Sequence, residues 1–199
     1  MNTILTDYYP LYIEPQQLNE SIGKNNGKLI VKGVIQRANK PNQNERIYPE
    51  SILKREIDKY MNEIKNRNAM GELDHSDTNV INLKNVSHII TDIQWDGDDV
   101  IGTIEILPTP SGDIAKALFL AGIRVGISSR GLGSTQPITG NLVQVQEDFQ
   151  LVCWDLVSNP STHGAHLSPI MEGYTGTRKA KLSSYSKIND ILTDIIVNI

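Results

Sequence analysis

Residues 86–107 read VSHIITDIQWDGDDVIGTIEIL, and this stretch decides what kind of fold the chain adopts. Two apolar runs flank Asp96-Gly97, a dipeptide that readily takes the positive φ angles of a tight turn, so the segment reads as a β-hairpin. Toward the N-terminus, KLIVKGVI at 28–35 is a further strand, and the polar QRANKPNQNERIYP after it reads as a long loop. From Glu50 the pattern changes. Ile52, Leu53, Ile57, Tyr60, Met61 and Ile64 recur at helical spacing, with Lys54, Arg55, Asp58 and Lys65 on the other face, which predicts an amphipathic helix of about 15 residues.

Toward the C-terminus, TPSGDIAKALFLAGI at 109–123 opens with Pro, Ser and Gly, carries Ile114, Ala117, Leu118 and Leu120, and closes at Gly122. These are the marks of a short helix. RVGISSRGLGS at 124–134 reads as a strand over 124–127 that runs into a glycine-rich bend, and LVQVQEDFQLVCWDLVSNPS at 142–161 as a second strand pair. Strands predominate, so the expected class is α+β. Beyond Glu172 the composition shifts to GYTGTRKAKLSSYSKINDILTDIIVNI, a Gly, Thr, Ser and Lys linker followed by Ile188, Ile191, Leu192, Ile195 and Ile196 at helical spacing. The expected organisation is a body over 1–172 and a linker with a tail helix over 173–199.

At 199 residues the chain suits one core, and 39% hydrophobic with 21% charged residues is an ordinary globular composition. No apolar run approaches the ~20 residues needed to span a bilayer. The start, MNTILTDYYPLYIEP, has no basic leader before an apolar segment, so no secretion signal is expected. The single cysteine, Cys153, has no intramolecular disulfide partner, which fits a reducing interior. A net charge of −4 speaks against the broad basic footprint of a nucleic-acid binder, and the basic TRKAKL at 177–182 reads as a solvated tail.

Four histidines are present. His75 sits in the polar GELDHSD and is the better candidate for a general base, whereas His88 begins an apolar strand. Asp74 and Asp77, taken with His163 and His166 three apart, raise a metal site, but no diagnostic ligand spacing is complete. Ser128, Ser129 and Ser134 offer hydroxyls beside Gly126, Gly131 and Gly133. Either one serine is a nucleophile next to free backbone N–H groups, or the glycines permit turns and the serines bond locally. Asp155 lies among Val152, Trp154, Leu156 and Val157. It is an outward-facing strand acid or a buried one that needs a partner.

Taken together, RNAMGELDHSD, NVSHIITDIQWDGDDVIGTIEILPTPSGDIAKAL, GIRVGISSRGLGS and CWDLVSNPST resemble, in order and spacing, the prohead core proteases of tailed bacteriophages, over about residues 46–172. The resemblance implies a serine endopeptidase related to herpesvirus assemblins: a mainly antiparallel β-barrel flanked by helices, with no metal or other cofactor. Residue by residue it puts the base at His75 and the nucleophile at Ser129, within Ser129-Arg130-Gly131. Ser128 is the adjacent alternative, because alternation along a strand lets only one of the two face His75. The third member falls at Asp155, where assemblins have histidine; positions 75, 129 and 155 are separated by 54 and then 26. Backbone N–H groups near Arg130 and Gly131 would receive the oxyanion, with the arginine charge assisting.

The resemblance further implies cleavage after Glu in a Leu/Ile-X-Glu context. IMEGY contains such a site, so self-cleavage is expected at Glu172-Gly173. Arg37, Arg46, Lys84 and Arg124 are the candidate partners for the substrate carboxylate. The setting would be the assembling prohead in the host cytoplasm. There a latent zymogen, expected as a homo-oligomer without nucleic-acid or membrane partners, degrades scaffold or core proteins and trims the major capsid protein. Two rivals are a non-catalytic internal head protein that binds scaffold through its tail helix, and a metal-dependent hydrolase using His75, Asp77, His163 and His166.

Overall fold

The computed structural model of the chain describes residues 3–11, 15–158 and 167–169. Along them run β1 (Thr3–Leu11), α1 (Pro15–Lys24), β2 (Leu29–Arg37), β3 (Arg46–Ile47), α2 (Glu50–Lys65), β4 (Met70–Glu72), β5 (Val86–Asp96), β6 (Asp99–Ile106), α3 (Pro110–Leu120), β7 (Val125–Gly133), β8 (Thr135–Pro137), β9 (Val143–Val145), β10 (Gln150–Val157) and β11 (Leu167–Pro169). The strands form three sheets, in the orders β1-β7-β10, β11-β2-β6-β5-β4 and β3-β9-β8. All the pairs are antiparallel except β3 with β9. The class is α+β and mostly strands, but no closed barrel is found among the described residues.

The opening hairpin is the centre of the five-stranded sheet. Asp96 pairs with Asp99 across a two-residue turn in which Gly97 takes a φ of +60°, a conformation that a residue without Cβ adopts freely. Helix α2 turns Ile52, Leu53, Ile57 and Tyr60 to the core. Its buried Glu56 is held by Arg55 at 2.9 Å, by Lys59 at 2.6 Å and by the Leu151 N–H at 3.1 Å. Tyr60 meets the ring of Trp154 edge-on at 5.0 Å, and Tyr48 meets Phe149 in the same manner at 5.3 Å. These aromatic pairs tie α2 and the long loop to β10 and the residue preceding it, and truncating one such ring in a core costs about 3–5 kcal/mol.

Several expectations are corrected. In α3 the cap is as expected, since Thr109 Oγ1 accepts the Gly112 N–H at 3.0 Å and Gly122 ends the helix at a φ of +72°. The buried face is different: Ala115 and Phe119 are inside, while Ile114 and Leu120 are exposed. Close approach sets the helix rotation, because a Cβ at Gly112 would meet the Ser87 carbonyl at 2.7 Å. The supposed strand pair at 142–161 is two strands in different sheets, β9 beside β3 and β8, and β10 beside β7. The glycine-rich bend is strand: β7 runs through to Gly133 and is paired on both sides. Its second partner, β1, comes from the N-terminal segment, for which no strand was expected. The tail over 173–199, the Glu172-Gly173 bond, His163 and His166 lie outside the described residues. No helix among the described residues is long and apolar enough to cross a membrane.

Candidate active site

Register decides which side chains meet. Ser128 on β7 lies directly opposite Asp155 on β10, and Ser129 opposite Trp154. Residues directly opposite share a face, so Ser128 and Asp155 point one way while Ser129 points with Trp154. A third segment brings the imidazole. After β4, Leu73 bridges Leu156 in parallel and the Asp74 N–H reaches the Leu156 carbonyl at 2.6 Å. Asp74 has a φ of +70°, in the left-handed region that short polar residues tolerate best, and its carboxylate accepts the His75 N–H at 3.0 Å. The turn carries the ring across both strands.

His75 Nδ1 is 2.8 Å from Asp155 Oδ2, and its Nε2 is 2.8 Å from Ser128 Oγ. Because a carboxylate only accepts, Nδ1 carries the hydrogen and Nε2 is left to accept the serine O–H. The His75 side chain is 26% exposed and that of Asp155 0%, so the ring is reachable from solvent while the acid behind it is sealed. Burial by itself would raise the Asp155 carboxyl. Hydrogen bonds from His75 and from the Glu72 N–H, together with the Arg130 charge, outweigh it and hold the group below the usual carboxylate range. Neighbouring Cys153 is buried; desolvation pushes its thiol up, and its S–H is directed at Asp155 Oδ1, 3.2 Å away. It stays protonated and is no nucleophile.

The site residues expected from sequence are distributed as follows. His75 and Asp155 come together. The hydroxyl they meet belongs to Ser128, not Ser129, whose buried Oγ has no hydrogen-bond partner among the described residues. Of the two adjacent serines, the strand's alternation thus turns Ser128, the alternative, to His75, and turns Ser129 away from it. Arg130 and Gly131 lie in the doubly paired part of β7 rather than in a bend, at the point where its pairing with β10 is irregular. The Arg130 guanidinium is buried and tied to carboxylates rather than facing solvent. Gly131 serves close packing: a Cβ there would meet the Gln150 carbonyl at 2.7 Å and the ring of Phe149.

His88, set aside at first for its place in a strand, is buried between the Ser87 hydroxyl at 2.9 Å and the Trp154 carbonyl at 3.0 Å. Burial pulls its pKa down to about 4, so it stays neutral and structural. Among the described residues no group of three or more His, Cys, Asp or Glu is placed to hold a metal ion. Of the four candidate carboxylate partners, Arg37 is paired with Asp99, and Arg124 is among the residues that line a cleft of about 360 Å³ with Leu73, Leu118, Ile123, Leu156 and Val157. The cleft adjoins the site through Asp74 and Leu156, the chain neighbours of His75 and Asp155. Sequence reasoning overlooked Glu72, although it lies in the same GELDHSD, because an acid before a histidine carries no signal of burial.

Hydroxyl, imidazole and sealed carboxylate in one hydrogen-bonded line, on a mostly β body, is the arrangement of a serine peptidase. The chain belongs to the prohead core protein serine protease family, whose model matches residues 5–175. It is 34% identical over 145 residues to the prohead core protein protease of Enterobacteria phage T4, covering 71% of this chain and 68% of that protein. The structure of the bacteriophage T4 capsid assembly protease, gp21, superposes with a TM-score of 0.68 at 26% identity, over 80% of this chain and 99% of that one.

Proposed function

We propose that the chain is a prohead maturation endopeptidase in which Ser128 is the nucleophile, His75 the base and Asp155 the acid that orients it. The observation that carries this is the unbroken line from Ser128 Oγ through both ring nitrogens of His75 to Asp155 Oδ2, with each contact at 2.8 Å. As Oγ attacks the scissile carbonyl, Nε2 takes its proton and Asp155 stabilises the imidazolium. The C–N bond then breaks as Nε2 returns that proton to the leaving amine, leaving an ester on Ser128. Water, giving a proton to the same nitrogen, adds to the ester, and Ser128 recovers the proton as the acid product departs.

The substrates we assign are the internal scaffold or core proteins and the major capsid protein, cut inside the prohead while it assembles in the host cytoplasm. The support is what the T4 matches are named, a prohead core protein protease and a capsid assembly protease. For cleavage after Glu in a Leu/Ile-X-Glu context, the support is the cleft beside the triad: aliphatic walls suit an aliphatic side chain, and Arg124 suits a carboxylate. Self-cleavage at Glu172-Gly173 would release 173–199 from the 1–172 body; the support is Ile170-Met171-Glu172 placed at the composition break. Kinship to assemblins rests on the order histidine, serine, third group along the chain.

The test is incubation of wild type, Ser128→Ala and His75→Ala with scaffold protein, with mass spectrometry of all fragment ends. Wild type is expected to leave Glu at new C-termini and to lose its own tail after Glu172, and each variant to lose about 10⁴-fold or more in rate. Undiminished cutting by Ser128→Ala removes the triad assignment. A wild-type chain that binds scaffold and never cuts supports the internal head protein instead, and loss of cutting on chelation supports the metal-dependent rival. An intact tail in active enzyme removes self-cleavage alone.

A further inference from the structure

Behind the triad lies a pair of buried charges that the proposed chemistry does not use. Arg130 is two residues from Ser128 on β7 and therefore on the same face. Its Nη2 donates to Glu72 Oε1 at 2.8 Å and lies 3.2 Å from both Asp155 Oδ1 and Cys153 Sγ. Its Nη1 donates to the Thr78 carbonyl at 2.6 Å. Its Nε is 2.8 Å from Asp155 Oδ2, close enough for an ion pair though not aligned as a hydrogen bond. Glu72 is equally committed: Oε1 also accepts the Asn82 N–H at 2.9 Å, Oε2 accepts Asn85 Nδ2 at 3.3 Å, and its own N–H reaches Asp155 Oδ1 at 3.0 Å.

We infer that the Arg130–Glu72 pair is a positioning clasp, which locks the loop carrying His75 and the carboxylate of Asp155 onto the strand that carries the nucleophile. The inference rests on the assignment of Ser128, His75 and Asp155 above. Two arguments carry it. The first is connectivity. One guanidinium touches all three segments of the site, and together with Glu72 it pins the 73–85 loop at Thr78, Asn82 and Asn85, on the far side of His75 from its own anchor at Leu156. A ring held only at Asp74 would sample other orientations, and a displacement of about 1 Å costs on the order of 10²-fold in rate.

The second argument is charge. Arg130 alone would cancel Asp155 and leave a new imidazolium beside a neutral group. Glu72 takes up that cation, so the three side chains sum to one negative charge, which the proton arriving on His75 neutralises. A buried ion pair adds little net stability, since desolvating both charges offsets their attraction. Position and charge balance account for it better than stability does.

The test compares Glu72→Gln, which keeps shape and loses charge, with Arg130→Lys, which keeps charge and loses the fork. Both are measured against wild type for peptide cleavage, labelling of Ser128 by a fluorophosphonate, and amide hydrogen exchange over 73–85. Each folded variant is expected to lose about 10–100-fold in kcat with KM within about threefold, to label more slowly by a similar factor, and to exchange faster only in that loop. A folded variant with wild-type kcat and labelling overturns the clasp. If neither single variant folds, the Glu72→Met, Arg130→Met double variant decides: folded but slow supports the clasp, whereas folded and fast, or unfolded as well, assigns the pair to structure alone. Failure of wild type to label at Ser128 sinks the triad assignment instead, and the two outcomes are distinct.

Discussion

At the scale of the residue, the contrast between Ser128 and Ser129 is one of direction. They are neighbours with the same chemistry, yet one hydroxyl meets an imidazole and the other lies buried beside Trp154 with no partner among the described residues. A desolvated hydroxyl without a hydrogen bond is a liability of about 1–3 kcal/mol. Ser129→Ala is therefore expected to retain activity within about threefold and to unfold at an equal or higher urea midpoint, whereas Ser128→Ala is inactive. Equal inactivity of the two alanine variants, both folded, would place Ser129 in the chemistry. The two serines, the histidine and the acid were legible in the sequence as residue types in order. Which serine faces the base was not, because the answer depends on the register of β7 against β10 and that pairing contains an irregularity between Leu151 and Cys153.

At the scale of the element, β7 holds the site because it is paired along both edges. Its glycines suggest a bend, and Gly131 and Gly133 serve the opposite use: they let the segment around Phe149 and Gln150 come close. Gly131→Ala would push against the Gln150 carbonyl and the Phe149 ring, and backbone has little room to yield. The substitution is expected to lower stability by about 1–3 kcal/mol, the usual range for overpacking, and to reduce kcat, since β10 carries Asp155. Thermal unfolding and cleavage kinetics read both, and a variant with wild-type melting refutes the packing account. Helix α2 and the β5–β6 hairpin were legible from periodicity and an Asp-Gly turn, local signals that survive tertiary packing. The buried face of α3 was not, because its rotation follows from the close approach of Gly112 to Ser87 rather than from where its apolar residues fall.

At the scale of the molecule, acid is expected to act on the site through a group outside it. His88 on β5 faces Gly71 on β4 and donates from Nε2 to the Trp154 carbonyl on β10, so one buried ring stitches the five-stranded sheet to the β1-β7-β10 sheet behind the triad. Its folded pKa, about 4, lies below the unfolded value near 6.5. The unfolded state binds the proton first, so the stability tied to a neutral His88 is complete above pH 6.5 and is lost as the pH falls toward 4. The loss reaches about 3 kcal/mol at about 1.4 kcal/mol per pH unit. Urea unfolding in the Ser128→Ala background, chosen to remove the proposed self-cleavage, is expected to show this slope between pH 6.5 and 4, and His88→Gln to flatten it. Parallel slopes in the two proteins would show that His88 does not govern acid sensitivity.

The residues by themselves determined the class of fold, the helix and hairpin at its centre, and a short set of groups fit for acyl transfer, because hydrophobic period, turn chemistry and residue type are local properties. Only the tertiary structure decided which serine faces His75, that Asp155 is sealed, and that Arg130 and Glu72 stand behind it. Those facts depend on how segments remote in the chain align, and a shift of one residue in a strand turns every side chain to the other face.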